Sequence, residues 1–279
     1  MFQIRTVSYT DPAAPAAFAR SLRETGFAVL TDHPITPDRI EAAYAAWGRF
    51  FASDEKFAYK VNPDRQDGYF PFKSENAKDS PVKDLKEFYH VYPDGRVPPA
   101  LAALTRAFHD DLAAIGRTLL GWIEDNTPEE VRARFSEPLP QMLDGSRQNL
   151  LRILHYPPLT EAPEPGAVRA AAHGDINLIT LLVAGSEPGL EARDTAGNWH
   201  AVPCDRGMMA INAGDMLEMA SGGHYPSTVH RVVNPPAARN VARFSMPMFC
   251  HPRPEVVLEP GTTADDFLTQ RLREIGLKA

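Results

Sequence analysis

Near Asn149 the apolar residues of this chain change their spacing from roughly 3.6 to 2, which is the difference between a core-facing helix and a half-buried strand. Before the change, Leu101, Leu104, Phe108, Leu112, Ile115, Leu119 and Trp122 recur every three or four positions between Pro99 and Asp125, as on the buried stripe of one long helix. Asp11-Pro12 and Thr36-Pro37-Asp38 each set a capping residue ahead of a proline, whose missing N–H is harmless in a first helical turn, so a helix is expected after each. Gly26 to Leu30, an apolar run closed by Thr31-Asp32, reads as a strand. After the change, strands are expected at Asn149–Tyr156, Ile176–Val183, Leu190–Arg193, Trp199–Val202, Met208–Asn212, Met216–Ala220, Thr228–Val233 and Val241–Phe249. Asp194 to Asn198 reads as a hairpin loop and Ala213-Gly214-Asp215 as a second tight reversal. Thr263-Ala264-Asp265-Asp266 opens a last amphipathic helix through Phe267, Leu268, Leu272 and Ile275, expected to pack across the strands.

Eight short antiparallel strands predict two sheets folded on one another with a pocket between them. The expected fold class is mainly β with α: a double-stranded β-helix (jelly roll) with a helical N-terminal region and a C-terminal helix. Residues 1–140 are expected to form the mostly helical region and 141–279 the jelly-roll core, as one continuous folding unit.

The composition narrows the function classes. A formal charge of −7, from 29 Lys plus Arg against 36 Asp plus Glu, argues against nucleic-acid binding, which depends on clustered cations to neutralise phosphates. The N-terminus lacks a charged-then-apolar leader, and the longest apolar stretch, Ile179 to Ala184, is far too short to cross a bilayer. Cys204 and Cys250 are the only cysteines and have no C-x-x-C partner, which speaks against a disulfide framework or zinc ribbon and for a reducing compartment. The expectation is a cytoplasmic protein, monomeric or weakly dimeric, acting on a small molecule without nucleic-acid or membrane partners.

Two constellations carry the chemistry. His173 and Asp175 lie in Ala172-His173-Gly174-Asp175-Ile176, and His230 follows 55 residues after the aspartate. Residues i and i+2 of an extended strand point the same way, so His173 and Asp175 can reach one ion while His230 comes from a separate strand. Two neutral imidazoles and one carboxylate hold a divalent metal on one face and leave its other positions open. Nine histidines will also form such triplets by chance, so the second constellation matters. Arg243 and Ser245, beginning thirteen residues after His230, share a strand face, and a guanidinium beside a hydroxyl clamps a carboxylate.

Together these segments resemble the iron(II) and 2-oxoglutarate-dependent oxygenases, in particular the isopenicillin N synthase-like branch. The resemblance spans most of the chain, from Gly26-Phe27-Ala28-Val29 and His33-Pro34-Ile35 through Gly68-Tyr69-Phe70-Pro71 and Asp84-Leu85-Lys86-Glu87-Phe88. It continues in Asn212-Ala213-Gly214-Asp215-Met216-Leu217-Glu218, Ser221-Gly222-Gly223-His224-Tyr225-Pro226-Ser227 and His230-Arg231-Val232-Val233-Asn234-Pro235. It implies His173, Asp175 and His230 as iron ligands, Arg243 and Ser245 on the distal carboxylate of 2-oxoglutarate, and Tyr156 lining the same pocket. Gly174 departs from the usual threonine, and Leu154 stands where an asparagine is common.

By resemblance the activity is a non-haem dioxygenase reaction that consumes Fe(II)-activated O2 and 2-oxoglutarate to hydroxylate, desaturate or cyclise a small molecule. The retained Asp175 disfavours halogenation, since related halogenases carry a small residue there. Phe70, Phe88, His90 and Arg152 fall in segments that shape the substrate mouth of similar enzymes, and Arg152 is in phase with Leu154 and Tyr156 to pair with a substrate acid. Two other readings stay open: an iron oxidase that dispenses with 2-oxoglutarate, and a non-catalytic, metal-containing barrel that binds a carboxylate.

Overall fold

The computed structural model describes residues 2–75, 82–161, 163–236 and 239–274. In chain order its strands and α-helices are β1 (Arg5–Ser8), α1 (Ala14–Thr25), β2 (Phe27–Thr31), α2 (Pro37–Ala52), β3 (Gly68–Phe70), β4 (Glu87–Val91), α3 (Pro99–Asp125) and α4 (Glu129–Arg132). There follow β5 (Leu150–Tyr156), β6 (Ala170–His173), β7 (Ile179–Val183), β8 (Leu190–Arg193), β9 (Trp199–Ala201), β10 (Met209–Ala213), α5 (Asp215–Ala220), β11 (His230–Val232), β12 (Arg243–Cys250), β13 (Val257–Glu259), β14 (Thr262–Thr263) and α6 (Ala264–Glu274).

Two sheets form the double-stranded β-helix. The larger has eight strands in the order β1-β2-β10-β7-β12-β5-β4-β3, and the smaller has four in the order β6-β11-β8-β9. Pairing within them is antiparallel except between β1 and β2. Four of the eight large-sheet strands, β1 to β4, precede residue 140. The N-terminal region is thus helical and also supplies half of that sheet.

The long helix α3 buries Leu101, Phe108, Leu112, Ile115 and Leu119, while Leu104 and Trp122 sit at the edge of the stripe. Each fully buried aliphatic side chain of this kind contributes roughly 1.5–3 kcal/mol. The helix passes close to β12: a Cβ on Gly116 would lie 2.8 Å from Cys250 Sγ, so glycine sets the helix-to-sheet distance there. No helix among the described residues is long and apolar enough to cross a membrane.

Several sequence expectations are corrected. The segment Met216–Ala220 is helix α5, not a strand, and Ala213-Gly214-Asp215 leads from β10 into that helix. Gly214 allows this junction, because any Cβ would sit 2.2 Å from the Asn177 carbonyl oxygen. Its own carbonyl then accepts the first helical bonds from Leu217 and Glu218 N–H. The burial of Met216, Leu217 and Ala220 follows a helical spacing that five residues are too few to distinguish from alternation. After Asp11-Pro12 the helix begins at Ala14; the Asp11 side chain instead accepts a bond from Ala13 N–H in a turn. The sequence pattern does not announce β1, β3, β4 and β6, which are short and, in β3 and β4, buried at every position rather than alternately. Of the final helix, Ile275 lies outside the described residues.

Candidate metal centre and its cavity

His173 ends β6 and stands directly opposite His230 at the start of β11. Both rings use Nδ1–H to donate to a backbone carbonyl two residues earlier, Ala171 at 2.7 Å and Thr228 at 3.1 Å. That bond fixes the tautomer and leaves Nε2 as the free ligand atom. The two Nε2 atoms lie 3.9 and 3.7 Å from Asp175 Oδ1, and the three residues bring one ligand atom each within 4.8 Å of the others. Asp175 lies beyond the end of β6, so strand alternation is not what aims it. Its Oδ2 accepts bonds from Thr180 Oγ at 2.5 Å and Asn212 Nδ2 at 2.8 Å, which turn Oδ1 towards the imidazoles. The set fits a divalent ion on one face with the opposite positions open.

Gly174 has a steric reason. A Cβ there would meet Ser227 Oγ at 3.2 Å and Asp215 Oδ1 at 3.3 Å, tight against both side chains. Electrostatics agree with metal binding. Burial, reinforced by the neighbouring His230 ring, pushes His173 down to about 4, so it is neutral at pH 7. Burial alone would raise Asp175, but the His230 and His173 rings and the bonds from Asn212 and Thr180 hold it below the ordinary carboxylate range.

A cavity of about 1130 Å³ opens beside this cluster, with His173 and Asp175 in its wall. Of the sequence candidates for substrate contact, His90 and Arg152 reach the wall. Phe70 and Phe88 do not line it; they stack on each other with centroids 4.4 Å apart, and Phe88 underlies the Arg152 guanidinium at 4.8 Å. Arg152 is no free clamp for an acid, because Glu75 takes Nη1 at 3.2 Å and Nη2 at 3.5 Å. Lys86, also in the wall, is held 2.8 Å from both Glu75 and Asp84. Against burial, which would raise it, Arg152 and Lys86 keep Glu75 far below its usual range. Asp84 also accepts a bond from Ala171 N–H and so ties this ionic group to β6. His90 donates Nδ1–H to the Gln66 carbonyl, and burial, with Arg152 beside it, keeps the ring neutral. Sequence reasoning missed His251, a buried imidazole in the same wall; it expected helix α6 to pack across the strands, but not that Leu268 and Arg271 of that helix line the cavity. Arg271 fastens that helix to Asp215 at 2.9 Å.

Arg243 and Ser245 are 2% and 3% exposed and face inward on β12, opposite Tyr156 and Leu154 of β5. The Arg243 guanidinium centre lies 5.3 Å from the Tyr156 ring centroid, its Nε bonds to the Glu187 carbonyl, and its buried Nη1 has no partner. Such an orphaned donor fits a carboxylate. Gly185 makes room, since a Cβ there would lie 2.8 Å from Arg243 Nη2. A second buried arginine, Arg169, sits 5.8 Å from the same ring. A lone cation in the small-residue run Gly166 to Ala172 is the signal that could have marked it.

Comparison with known proteins agrees with this geometry. The 2OG-Fe(II) oxygenase superfamily matches residues 147–252, and the N-terminal region of the non-haem dioxygenases of morphine synthesis matches residues 6–107. The 2-oxoglutarate-dependent dioxygenase citB of Monascus ruber is 30% identical over 235 residues, covering 75% of this chain and 70% of that protein. The chain belongs to the 2OG-Fe(II) oxygenase superfamily. Among solved structures, an oxygenase of Shewanella oneidensis is similar at 47% identity and a TM-score of 0.89, over 98% of this chain and 99% of that one. A full-length Neurospora crassa protein solved in complex with alpha-KG is similar at 25% identity and a TM-score of 0.82, over 97% and 96%. This 2OG-Fe(II) oxygenase is therefore a dioxygenase whose metal is iron(II) and whose cosubstrate is 2-oxoglutarate.

Proposed function

We propose that His173, Asp175 and His230 are the iron ligands, and that Arg243 and Ser245 seat the distal carboxylate of 2-oxoglutarate with Tyr156 lining the same pocket. The observation that carries this reading is the convergence of two imidazole Nε2 atoms and Asp175 Oδ1 while every other polar atom of those side chains is already bonded. When bound, iron and 2-oxoglutarate supply the oxidising power that turns oxygen and a substrate C–H bond into product, succinate and carbon dioxide. The residues of the chain fix the rest. The Ala171 and Thr228 carbonyls hold the imidazole tautomers, Thr180 and Asn212 hold the carboxylate, and helix α6 contributes Leu268 and Arg271 to the cavity wall. The expected outcome is hydroxylation, with desaturation or ring closure open to the same chemistry.

The substrate in this reading is a small molecule anchored by hydrogen bonds and stacking rather than by a carboxylate. Its support is that both deep cations of the wall, Lys86 and Arg152, are already neutralised by Glu75 and Asp84, and that His90 is neutral. The similar Neurospora crassa protein has also been solved with thymine, a neutral heterocycle, and compounds of that kind are the first to try here. The cytoplasm is the proposed compartment, consistent with free thiols at Cys204 and Cys250, and a monomer or weak homodimer the proposed state.

The test loads the protein with ferrous iron and follows succinate release with thymine, uracil and orotate, the last carrying a carboxylate on the uracil ring. Stimulation by a neutral ring and not by orotate supports both parts of the reading. Oxygen uptake without any 2-oxo acid would instead reassign Arg243 and Ser245 to a substrate carboxylate. Tight zinc retention with no oxygen use on any compound would point to a non-catalytic barrel.

A further inference from the structure

Arg169 and Arg243 are the two arginines with less than a tenth of their surface exposed among the described residues, at 3% and 2%. Most buried or half-buried cations of this protein are matched by acids: Lys86 by Glu75 and Asp84, Arg152 by Glu75, Arg271 by Asp215. Arg169 and Arg243 are not. Among the described residues neither has a carboxylate oxygen within ion-pair distance, and both guanidinium centres lie close to the Tyr156 ring centroid, at 5.8 and 5.3 Å. Among the described residues the Arg169 side chain makes a single hydrogen bond, from Nη2 to the Val241 carbonyl at 2.6 Å. The acid whose charge it feels, Glu187, has its carboxylate on Arg239 at 2.9 Å. Burial, and then the charge of Arg243, lower the proton affinity of Arg169, as expected for two like charges sharing one interior region.

Two unmatched cations in a protein interior are stable only beside an anion. We infer that Arg169 is a second cation for the distal carboxylate of 2-oxoglutarate, acting with Arg243 beside Tyr156. The inference rests on the reading of Arg243 as the carboxylate anchor and adds to it a residue, a charge and a selectivity. With two guanidinium groups and a hydroxyl around one end, the pocket demands a carboxylate there and discriminates against 2-oxo acids that end in a methyl group. Arg169 also stands four residues before His173, immediately ahead of β6, so the segment that presents a metal ligand carries the second anchor.

The experiment measures 2-oxoglutarate binding to the manganese-loaded, full-length protein by calorimetry and by the shift in melting temperature, with 2-oxobutyrate as the control lacking the distal carboxylate. Arg169→Met is expected to weaken 2-oxoglutarate roughly ten- to hundredfold, as loss of a charge-assisted hydrogen bond does, with little change for 2-oxobutyrate. Arg169→Lys, which keeps charge and most of the volume, should fall between, and it carries the test if the methionine variant does not fold. Without 2-oxoglutarate the methionine variant should melt no lower than wild type, because a like-charge contact is gone. Unchanged 2-oxoglutarate affinity in either variant, or equal losses for both 2-oxo acids, would overturn the inference. Arg243→Met run alongside separates the two levels: if it too leaves 2-oxoglutarate binding intact, the anchor reading itself has failed, whereas an effect at Arg243 alone removes only Arg169.

Discussion

Thr180 donates its hydroxyl to Asp175 Oδ2 over 2.5 Å, the shortest bond made to any of the three clustered side chains. With Asn212 on the same oxygen, it decides which carboxylate oxygen is left for a metal. Thr180→Val keeps the β-branched shape in β7 and removes that bond together with the one the hydroxyl accepts from Asn177 Nδ2, which keeps its other bond to the Ile179 carbonyl. Iron affinity should fall about 10- to 100-fold, the usual effect of losing an outer partner of a ligand, while the melting curve of the metal-free protein moves little. Competition with a chelator measures the first and calorimetry the second; equal iron affinity in the variant would show that Asn212 suffices.

Gly185→Ala tests how closely the chain packs around Arg243. The added methyl would lie 2.8 Å from Arg243 Nη2, so the guanidinium must swing aside. The KM for 2-oxoglutarate should rise about tenfold, the equivalent of one misplaced charge-assisted bond, with iron content unchanged. Steady-state kinetics alongside metal analysis gives both values.

At Gly116 two effects oppose each other. Alanine improves helix propensity by about 1 kcal/mol, yet its Cβ would sit 2.8 Å from Cys250 Sγ in a packed interior, where overpacking costs about 1–3 kcal/mol. Gly116→Ala should therefore destabilise by about 1 kcal/mol, and Cys250→Ala in the same molecule should recover most of that loss. Urea denaturation of the two single variants and the double variant completes the cycle; strict additivity would mean the helix and β12 do not touch there.

The ionic group of the cavity wall makes stability depend on acid. Glu75 has its folded pKa depressed below the unfolded value of 4.5 by Arg152 and Lys86, against burial. A depressed carboxylate gives stability that is present above the unfolded pKa and is lost as pH falls through 4.5 towards the folded value. Wild type should lose stability steeply below about pH 4.5, a window where other carboxylates also titrate. Glu75→Gln should be less stable by about 3 kcal/mol at pH 7, as when one partner of a buried pair is removed, and should lose less on acidification. Denaturation at pH 7 and about pH 3.5 reads the difference; parallel pH profiles would show that Glu75 carries none of it.

Legibility in the sequence follows chemistry more closely than packing. His173, Asp175 and His230, and the Arg243–Ser245 pair, stand out because few residue types can do the work proposed for them and their spacing survives in one dimension. Strand positions such as Leu190–Arg193 are legible because one face is wet and the alternation shows. β4 is not, because all five of its residues are buried, and a segment enclosed on both faces has no period to read. Arg152 reads as a free cation in one dimension since its partner, Glu75, comes from a loop 77 residues earlier. Arg169 and His251 take their meaning from neighbours, Tyr156 in one case and the cavity wall in the other, that only the folded chain brings near.

The order of strands in the large sheet also governs how the molecule can be born. β2 sits beside β10, so Ala28 must wait for Ile211, and Phe88 of β4 for Leu154 of β5. An emerging polypeptide can pair β1 with β2 and β3 with β4, but it leaves one edge of β2 and of β4 open until much of the later sequence has left the ribosome, the kind of delay that slows folding and invites aggregation. A fragment starting at residue 141 would leave β10 and β5 as raw edges, ready to join a stranger's sheet.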